Sequence, residues 1–177
     1  MRRLKLNCDM GESYGAWAVG NDNAVMPLID SANIACGFHG GDPTVIRQTI
    51  ALAKTHGVEL GAHVSYPDLQ GFGRRSMNLR GQALIDILHY QISAIDGMAR
   101  LQGCSIQYVK PHGALYTDMM HDEALLLDIM AAVAGWHTPT ELVILASPRN
   151  EALAQQADER GLSLRFEAFA DRAYTSA

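Results

Sequence analysis

The 177-residue chain has few cysteines, no excess of basic residues and no long apolar run. Cys8, Cys36 and Cys104 are widely spaced and form no C-x-x-C pair, which argues against a disulfide framework or structural zinc and favours a cytoplasmic protein. No stretch approaches the roughly 18 apolar residues of a membrane helix, and acids at positions 9 and 12 interrupt any signal-like segment. A net charge of −5 argues against nucleic acid as a partner, because phosphate binding requires a basic face.

The pattern that is present predicts one α/β domain over residues 1–177, with strands and helices in alternation. Asp42 and Pro43 are typical of the N-cap and first residue of a helix, and Gly57 is typical of its C-terminal cap. Apolar spacing predicts further helices over about 81–102, 122–134 and 148–160. A β-rich run follows each helix. Helical crossovers of this kind favour parallel pairing of the strands.

Polar residues follow most of these apolar runs. In chain order they are Asp9 with Glu12, His39, His63, Lys110 with His112, and Asp171 with Arg172. Because the carboxyl ends of parallel strands gather at one edge, we expect these side chains to form an active site there. Six strand candidates are too few for an eight-stranded barrel, so either the sheet is open or the chain lacks the last part of one.

The two carboxylates near the N-terminus have more than one interpretation. Asp9 and Glu12, three residues apart across a glycine turn, could share a metal or act as general acid or base. Alternatively, Asp9 caps a turn and Glu12 is solvated. We favour a functional role for these carboxylates, because the other residues of the strand that ends at Asp9 are predicted to be buried.

The histidines divide into two groups. His39 lies in a glycine-rich loop that resembles a phosphate cradle, but Asp42 would occupy the helix start and no P-loop motif is present. Each of His63 and His112, directly after a strand, could be a buried histidine with one satisfied hydrogen bond. Together with Asp9 and His39 they match the ligands of a Zn, Mn or Fe hydrolase. The other histidines are predicted to be structural: His56, His89, His121 and His137.

A long loop and a lysine complete the unusual features. Residues 64–78 form a glycine- and aromatic-rich segment of the kind that serves as a lid or binding loop. Its Arg74 and Arg75 could bind a carboxylate in bidentate fashion, or could simply be solvated. Lys110, at a buried strand end, requires a partner or a substrate anion.

Five runs in order, NCDMGESYGAW, SANIACGFHGGDP, GAHVSYPDLQGFGRR, VKPHGALY and FADRAY, resemble the LamB/YcsF family over residues 4–174. The resemblance implies an irregular (β/α) barrel of the glycoside hydrolase/deacetylase type. It further implies ATP-dependent opening of 5-oxoproline to L-glutamate together with separate B and C subunits, with Mg²⁺ as the counter-ion of ATP. Two departures are visible: Val64 replaces a proline, and family members continue past FADRAY. The barrel is therefore expected to be incomplete at its C-terminus.

We predict a catalytic set and a substrate-binding set from these motifs. The catalytic set is Asp9, Glu12, His39, His63, Lys110, His112 and Asp171. The substrate-binding set is Asn7, Asn33, Arg74, Arg75, Tyr116 and Arg172. The rival hypothesis is a metal-dependent amidohydrolase or deacetylase acting without ATP, with Asp9, His39, His63 and His112 as ligands. A third is a non-catalytic subunit that binds a metabolite or scaffolds its partners.

Overall fold

The computed structural model describes residues 4–138 and 140–170. Asp171 and Arg172, predicted from the sequence as site residues, lie outside this part. The strands are β1 Asn7–Met10, β2 Ser31–Ala35, β3 Glu59–Val64, β4 Ile106–Pro111, β5 Glu141–Leu145 and β6 Leu164–Glu167. The helices are α1 Asp22–Val25, α2 Pro43–His56, α3 Gly81–Leu101, α4 Gly113–His121, α5 Glu123–Ala134 and α6 Asn150–Asp158.

All six strands are parallel and lie in the sheet in chain order. In a flat sheet β1 and β6 would lie about 24 Å apart, at about 4.8 Å per strand spacing. Instead, Asn7 Nδ2 on β1 donates to Glu167 Oε2 on β6 at 3.0 Å, and Arg165 on β6 reaches Glu59 on β3 at 3.0 Å. The sheet is therefore curled into a half-barrel, which confirms the predicted barrel-type α/β fold.

The two faces of this sheet have opposite chemistry because side chains alternate along each strand. On the convex face, Ile34, Leu60 and Val109 belong to the main hydrophobic core. Helices α3 and α5 pack there, and their apolar stripes complete the core. On the concave face, alternate residues such as Asn33 and Lys110 are polar and are also buried. The polar interior of the half-barrel supplies the site described below.

Helix α2 begins and ends as predicted. The Asp42 carboxylate accepts the backbone N–H groups of Thr44 and Val45 at 2.8 and 3.0 Å, and Gly57 adopts a left-handed conformation with φ 66°. Asp42 also accepts Gly15 N–H at 2.8 Å, so it ties the loop after β1 to the helix start. These N–H groups are therefore already engaged by a carboxylate, as the sequence analysis expected.

Three details differ from the sequence-based expectation or add to it. Helix α4 was not predicted, because a proline and a glycine at its start are typical loop signals. The prediction that the residues preceding Asp9 are buried was wrong, since Leu4 and Leu6 are 90% and 61% exposed and β1 begins only at Asn7. Leu4 and Leu6 precede this strand, and β1 is itself the edge of the sheet in the part of the chain that the structure describes. No helix in the described residues is both long and apolar enough to cross a membrane.

Candidate active site

A compact cluster of one carboxylate and three imidazoles lies at the carboxyl ends of the first four strands. We call Glu12, His39, His63 and His112 the histidine centre. One ligand atom from each residue lies within 4.8 Å of those of the others. His63 lies on β3, His112 directly follows β4, and Glu12 and His39 lie in the loops after β1 and β2. The convergence predicted for these four residues is present.

Backbone carbonyls determine which ring nitrogens of the centre carry hydrogen. His63 Nδ1 donates to Lys110 O at 2.8 Å, and His112 Nε2 donates to Phe72 O at 2.9 Å, since a carbonyl can only accept. Their other nitrogens, His63 Nε2 and His112 Nδ1, lie 3.0 Å apart. His112 Nδ1 is therefore an acceptor, and His63 Nε2 faces both this nitrogen and Asp9 Oδ1, which is 3.2 Å away, so that a hydrogen on Nε2 would meet an acceptor. Burial, followed by the neighbouring His63 and His39, lowers the pKa of His112 to about 3, which favours the neutral form.

Glu12 and His39 bring a carboxylate and a third imidazole to the same point. Glu12 Oε1 lies 3.0 Å from His39 Nε2 and 3.6 Å from His112 Nδ1. The His39 ring stacks on that of His112, with centroids 3.7 Å apart, and its Nδ1 is buried without a hydrogen-bond partner in the described residues. Burial raises the pKa of Glu12 and lowers that of His39, so it disfavours the charged form of each.

The loop over residues 64–78 closes over this centre. Phe72 has φ 55°, a conformation that is uncommon for a non-glycine residue, and it presents its carbonyl to His112. Gly73 lies so close that a Cβ there would be 2.8 Å from His112 Cδ2 and 3.0 Å from His39 Cβ. The predicted functional loop thus forms a wall of the site. The sequence analysis missed Phe72, because a role played by a carbonyl leaves no side-chain signal.

A second polar cluster lies deeper on the concave face. We call Lys110, Glu167, Asn7 and Asn33 the lysine network. Lys110 Nζ lies 3.0 Å from Glu167 Oε2 and donates to Asn7 Oδ1 at 3.0 Å. Asn33 Nδ2 donates to Asn7 Oδ1 at 2.7 Å, and Asn33 Oδ1 accepts from Tyr108 Oη at 2.7 Å. Lys110 is 5% exposed, so its predicted need for a partner is met by a residue, Glu167, that the sequence analysis missed. The alternation of Glu167 with Arg165 along β6 was the available signal.

Asp9 connects the two clusters. Its Oδ1 lies 3.2 Å from His63 Nε2, accepts from Asn33 Nδ2 at 2.8 Å and lies 3.6 Å from Lys110 Nζ. Burial alone would raise the pKa of Asp9, but His63, Lys110 and Asn33 together hold it well below its usual range. Asp9 is therefore an ionised carboxylate. It lies beside the histidine centre and is not one of the four grouped residues, so Glu12 is the acid of that group.

A cavity of about 360 Å³ opens in front of Asp9. The residues of its wall that carry polar groups include Asp9, His63, Lys110, His112, Arg74 and Tyr116. All six belong to the predicted catalytic or substrate-binding sets: five lie at strand ends or on α4, and Arg74 lies in the loop over residues 64–78. Glu12 and His39 lie behind this wall and do not line it. The volume falls within the usual range for small-molecule sites, about 300–1,000 Å³.

The adjacent arginines have separate roles. Arg75 Nε donates to both carboxylate oxygens of Asp68, at 3.0 and 3.1 Å, and the Asp68 side chain is fully buried. Arg74 lines the cavity, with its guanidinium 5.8 Å from the Phe72 ring. The structure thus brings Arg74, and not Arg75, to the cavity, because Arg75 is committed to holding the loop in shape. The histidines predicted as structural lie in helices or a connecting segment: His56, His89, His121 and His137.

Comparison with known proteins identifies the family of the chain. The model of the LamB/YcsF family matches residues 4–177. The chain is 56% identical over 177 residues to the 5-oxoprolinase A subunit of Pseudomonas fluorescens (strain Pf0-1), covering 100% of the chain and 71% of that protein. It is 51% identical over 173 residues to the 5-oxoprolinase A subunit of Vibrio campbellii, covering 98% of the chain and 68% of the relative.

A solved structure is similar throughout. The crystal structure of the lactam utilization protein from Thermus thermophilus superposes with a TM-score of 0.90 at 43% sequence identity. The superposition covers 98% of this chain and 69% of that one. Sequence and fold comparisons therefore lead to the same family.

Proposed function

The chain belongs to the LamB/YcsF family, and from this premise we propose that it is one component of an ATP-dependent 5-oxoprolinase. The reaction is cleavage of the lactam of 5-oxo-L-proline to L-glutamate. The names of the relatives, which are 5-oxoprolinase A subunits and a lactam utilization protein, support this substrate. The observation that carries the proposal is an ionised carboxylate, Asp9, at the wall of a small-molecule cavity that also presents Lys110 and Arg74.

The lining of the cavity fits a small anion with an amide. The substrate has one carboxylate. Arg74 lines the cavity, and its guanidinium, unlike that of Arg75, is not bound to Asp68 in the described residues. We assign the substrate carboxylate to Arg74, since the guanidinium fork matches a carboxylate. Tyr116, which also lines the cavity, would contact the ring. Asn7 and Asn33 act indirectly, because their amides are engaged with Lys110 and Asp9.

Activation of the lactam explains the coupling to ATP. An unstrained amide is stabilised by resonance and is a poor electrophile at neutral pH. Transfer of the terminal phosphoryl group of ATP to the amide oxygen, with release of ADP, would make the carbon open to attack by water. Breakage of the C–N bond in the adduct would then open the ring and leave an acyl phosphate, and a second water would hydrolyse it to L-glutamate and phosphate. Lys110 and Arg74 are the positive groups that would stabilise the negative charge that develops there, and Mg²⁺ would accompany the nucleotide.

Asp9 is the group we assign to proton transfer. As an ionised carboxylate that is 40% exposed at the cavity, it can accept a proton from the attacking water and return it to the leaving ring nitrogen. We prefer Asp9 to a histidine for this step, because His63 and His112 direct their N–H groups at backbone carbonyls and away from the cavity. Lys110 and Asn33 keep Asp9 in place.

We propose that the active enzyme contains separate B and C subunits and is located in the cytoplasm. The relatives are named as A subunits, and this naming supports a multi-subunit enzyme. The cysteines are free thiols, as expected in a reducing compartment: Cys8, Cys36 and Cys104.

The test is 5-oxoproline-dependent ATP hydrolysis and glutamate formation by the purified chain, with and without the B and C subunits. We expect both products only in the reconstituted complex and only when ATP and 5-oxoproline are present together. Glutamate formation without ATP would overturn the proposal in favour of a metal-dependent amidohydrolase, the rival that the histidine centre favours. No glutamate in the complete mixture would overturn both.

A further inference from the structure

Three ring nitrogens and one carboxylate converge in the histidine centre. His63 and His112 each use one nitrogen as a donor to a backbone carbonyl, so their remaining nitrogens face each other at 3.0 Å. The Glu12 carboxylate adds a third ligand atom within 3.6 Å of His112 Nδ1. A buried group of nitrogen and oxygen atoms at these distances needs shared hydrogens or a metal cation to hold it together.

From this geometry we propose that the histidine centre is a binding site for a transition-metal dication of the Zn²⁺ class. Its ligands are His39 Nε2, His63 Nε2 and His112 Nδ1, together with the carboxylate of Glu12. This site is distinct from that of the Mg²⁺ carried by ATP. The inference does not depend on the proposed function, because it follows from the donor atoms alone.

The ligand types select the metal. Neutral imidazole nitrogen suits Zn²⁺, Co²⁺, Ni²⁺ and related ions, whereas Mg²⁺ prefers a shell of oxygen atoms. Zn–N bonds of about 2.0–2.1 Å in a tetrahedron place neighbouring ligand atoms about 3.3 Å apart. The contacts within the centre, 3.0 Å for His63–His112, 3.0 Å for His39–Glu12 and 3.6 Å for His112–Glu12, lie on either side of that value.

The surroundings support metal binding as well. Ligating histidines commonly donate their second N–H to a carbonyl, which fixes the ring and directs the lone pair at the ion. Lys110 O and Phe72 O do this for His63 and His112. His39 differs, since its Nδ1 has no partner in the described residues and its Nε2 faces the carboxylate of Glu12, a member of the centre. The His39 ring is therefore held by stacking on His112 and by the ligand bound in the centre.

The test uses the full chain after treatment with a chelator and exchange into metal-free buffer. Isothermal titration with ZnCl₂ and optical titration with CoCl₂ are performed, with MgCl₂ as the competitor. We expect one tightly bound Zn²⁺ per chain, a Co²⁺ spectrum of the intense tetrahedral kind, and no displacement by Mg²⁺. Absence of Zn²⁺ binding by the wild-type chain, or a weak octahedral Co²⁺ spectrum, would overturn the proposal.

Variants locate the ion. Glu12→Gln and His112→Gln should each weaken Zn²⁺ binding by more than the roughly 10–100-fold change typical of a substitution that touches no ligand atom. His121→Gln, which changes an exposed histidine at the end of α4, is the matched control and should bind as the wild type does. Equal loss in His121→Gln would show that surface histidines bind the ion, and would contradict the proposal.

Thermal unfolding of the wild-type chain gives a second measurement that does not depend on how well a variant folds. Zn²⁺ should raise the thermal midpoint of the wild-type chain, because a ligand that binds only the folded state stabilises it. The midpoint of folded Glu12→Gln should respond less. A midpoint that is independent of Zn²⁺ in the wild-type chain refutes the metal site and leaves the 5-oxoprolinase proposal standing. Tight Zn²⁺ binding without glutamate formation refutes only the latter.

Discussion

The histidine centre and the lysine network are neighbours on the same concave face, yet their hydrogen bonding differs. In the network, the ammonium of Lys110 meets the carboxylate of Glu167 and the amide oxygen of Asn7. In the centre, ring nitrogens of His63 and His112 face each other, and His112 Nδ1 also faces the Glu12 carboxylate. Asp9 contacts both clusters.

This difference separates a network that is satisfied by its own residues from a cluster that a ligand can complete. A network in which donors meet acceptors has its best geometry without any ligand, and it holds neighbouring groups in place. A cluster of imidazole nitrogens and a carboxylate that converge on one point can be completed by a bound cation, and a buried nitrogen without a partner, such as His39 Nδ1 in the described residues, calls for an explanation. We therefore expect substitutions in the two clusters to have different consequences for stability and for activity.

The largest effect is expected at Asp9, between the clusters. Asp9→Asn keeps the shape of the side chain but removes the charge that would accept a proton, so turnover by the reconstituted enzyme should fall by about 10²–10⁴-fold. The far-ultraviolet circular dichroism should be unchanged. Asp86→Asn is the matched control, because Asp86 is exposed on α3 and accepts only from Gln82 in the described residues. Near-normal turnover of Asp9→Asn would remove Asp9 from the mechanism.

Lys110→Met tests whether the network is a scaffold. The change leaves the Glu167 carboxylate buried without its cation, since both side chains are 6% exposed. Breaking one partner of a buried pair typically destabilises a protein by about 3–5 kcal/mol, and we expect a loss of this size in urea unfolding. The double variant Lys110→Met/Glu167→Gln should recover much of that loss. A double variant no more stable than the single one would mean that the pair is not coupled.

The convergence of the site could be predicted from the sequence, because it depends on short patterns of neighbouring residues. Asp9, His63 and Lys110 stand at strand ends, and parallel pairing alone brings such residues to one edge. The boundaries of α2 followed from Asp42 and Gly57 for the same reason, since caps are determined by residues within one turn.

What could not be predicted depends on curvature and on backbone groups. Glu167 meets Lys110 only because the sheet curls, and no pattern within β6 specifies how far it does so. The Phe72 carbonyl selects the tautomer of His112, and the sequence indicates this role only by the glycine on each side of Phe72. The separation of Arg74 from Arg75 depends on Asp68, whose burial is a property of the folded loop.

The paired arginines provide a test of intermediate size. Arg74→Met should raise the KM for 5-oxoproline by about 10–100-fold, as expected for loss of a hydrogen bond to a charged group. The thermal midpoint should hardly change. Arg75→Met should do the reverse, lowering the midpoint through the loss of Asp68's partner while the KM is kept. If both variants raise the KM equally without loss of stability, the assignment of Arg75 to the loop is wrong.

The smallest effect, with the opposite sign to that of Lys110→Met, is expected for Glu12→Gln in metal-free protein. Glu12 is 13% exposed in its side chain, and burial already raises the pKa of its carboxyl, so the ionised form is disfavoured where it lies. A glutamine there is neutral, its carbonyl oxygen can accept from His39 Nε2, and its N–H can donate towards His112 Nδ1. We therefore expect urea unfolding to show unchanged or slightly increased stability, by up to about 1 kcal/mol. A clear loss of stability in metal-free buffer would mean that Glu12 is a structural partner like Glu167, and that the contrast between the clusters does not hold.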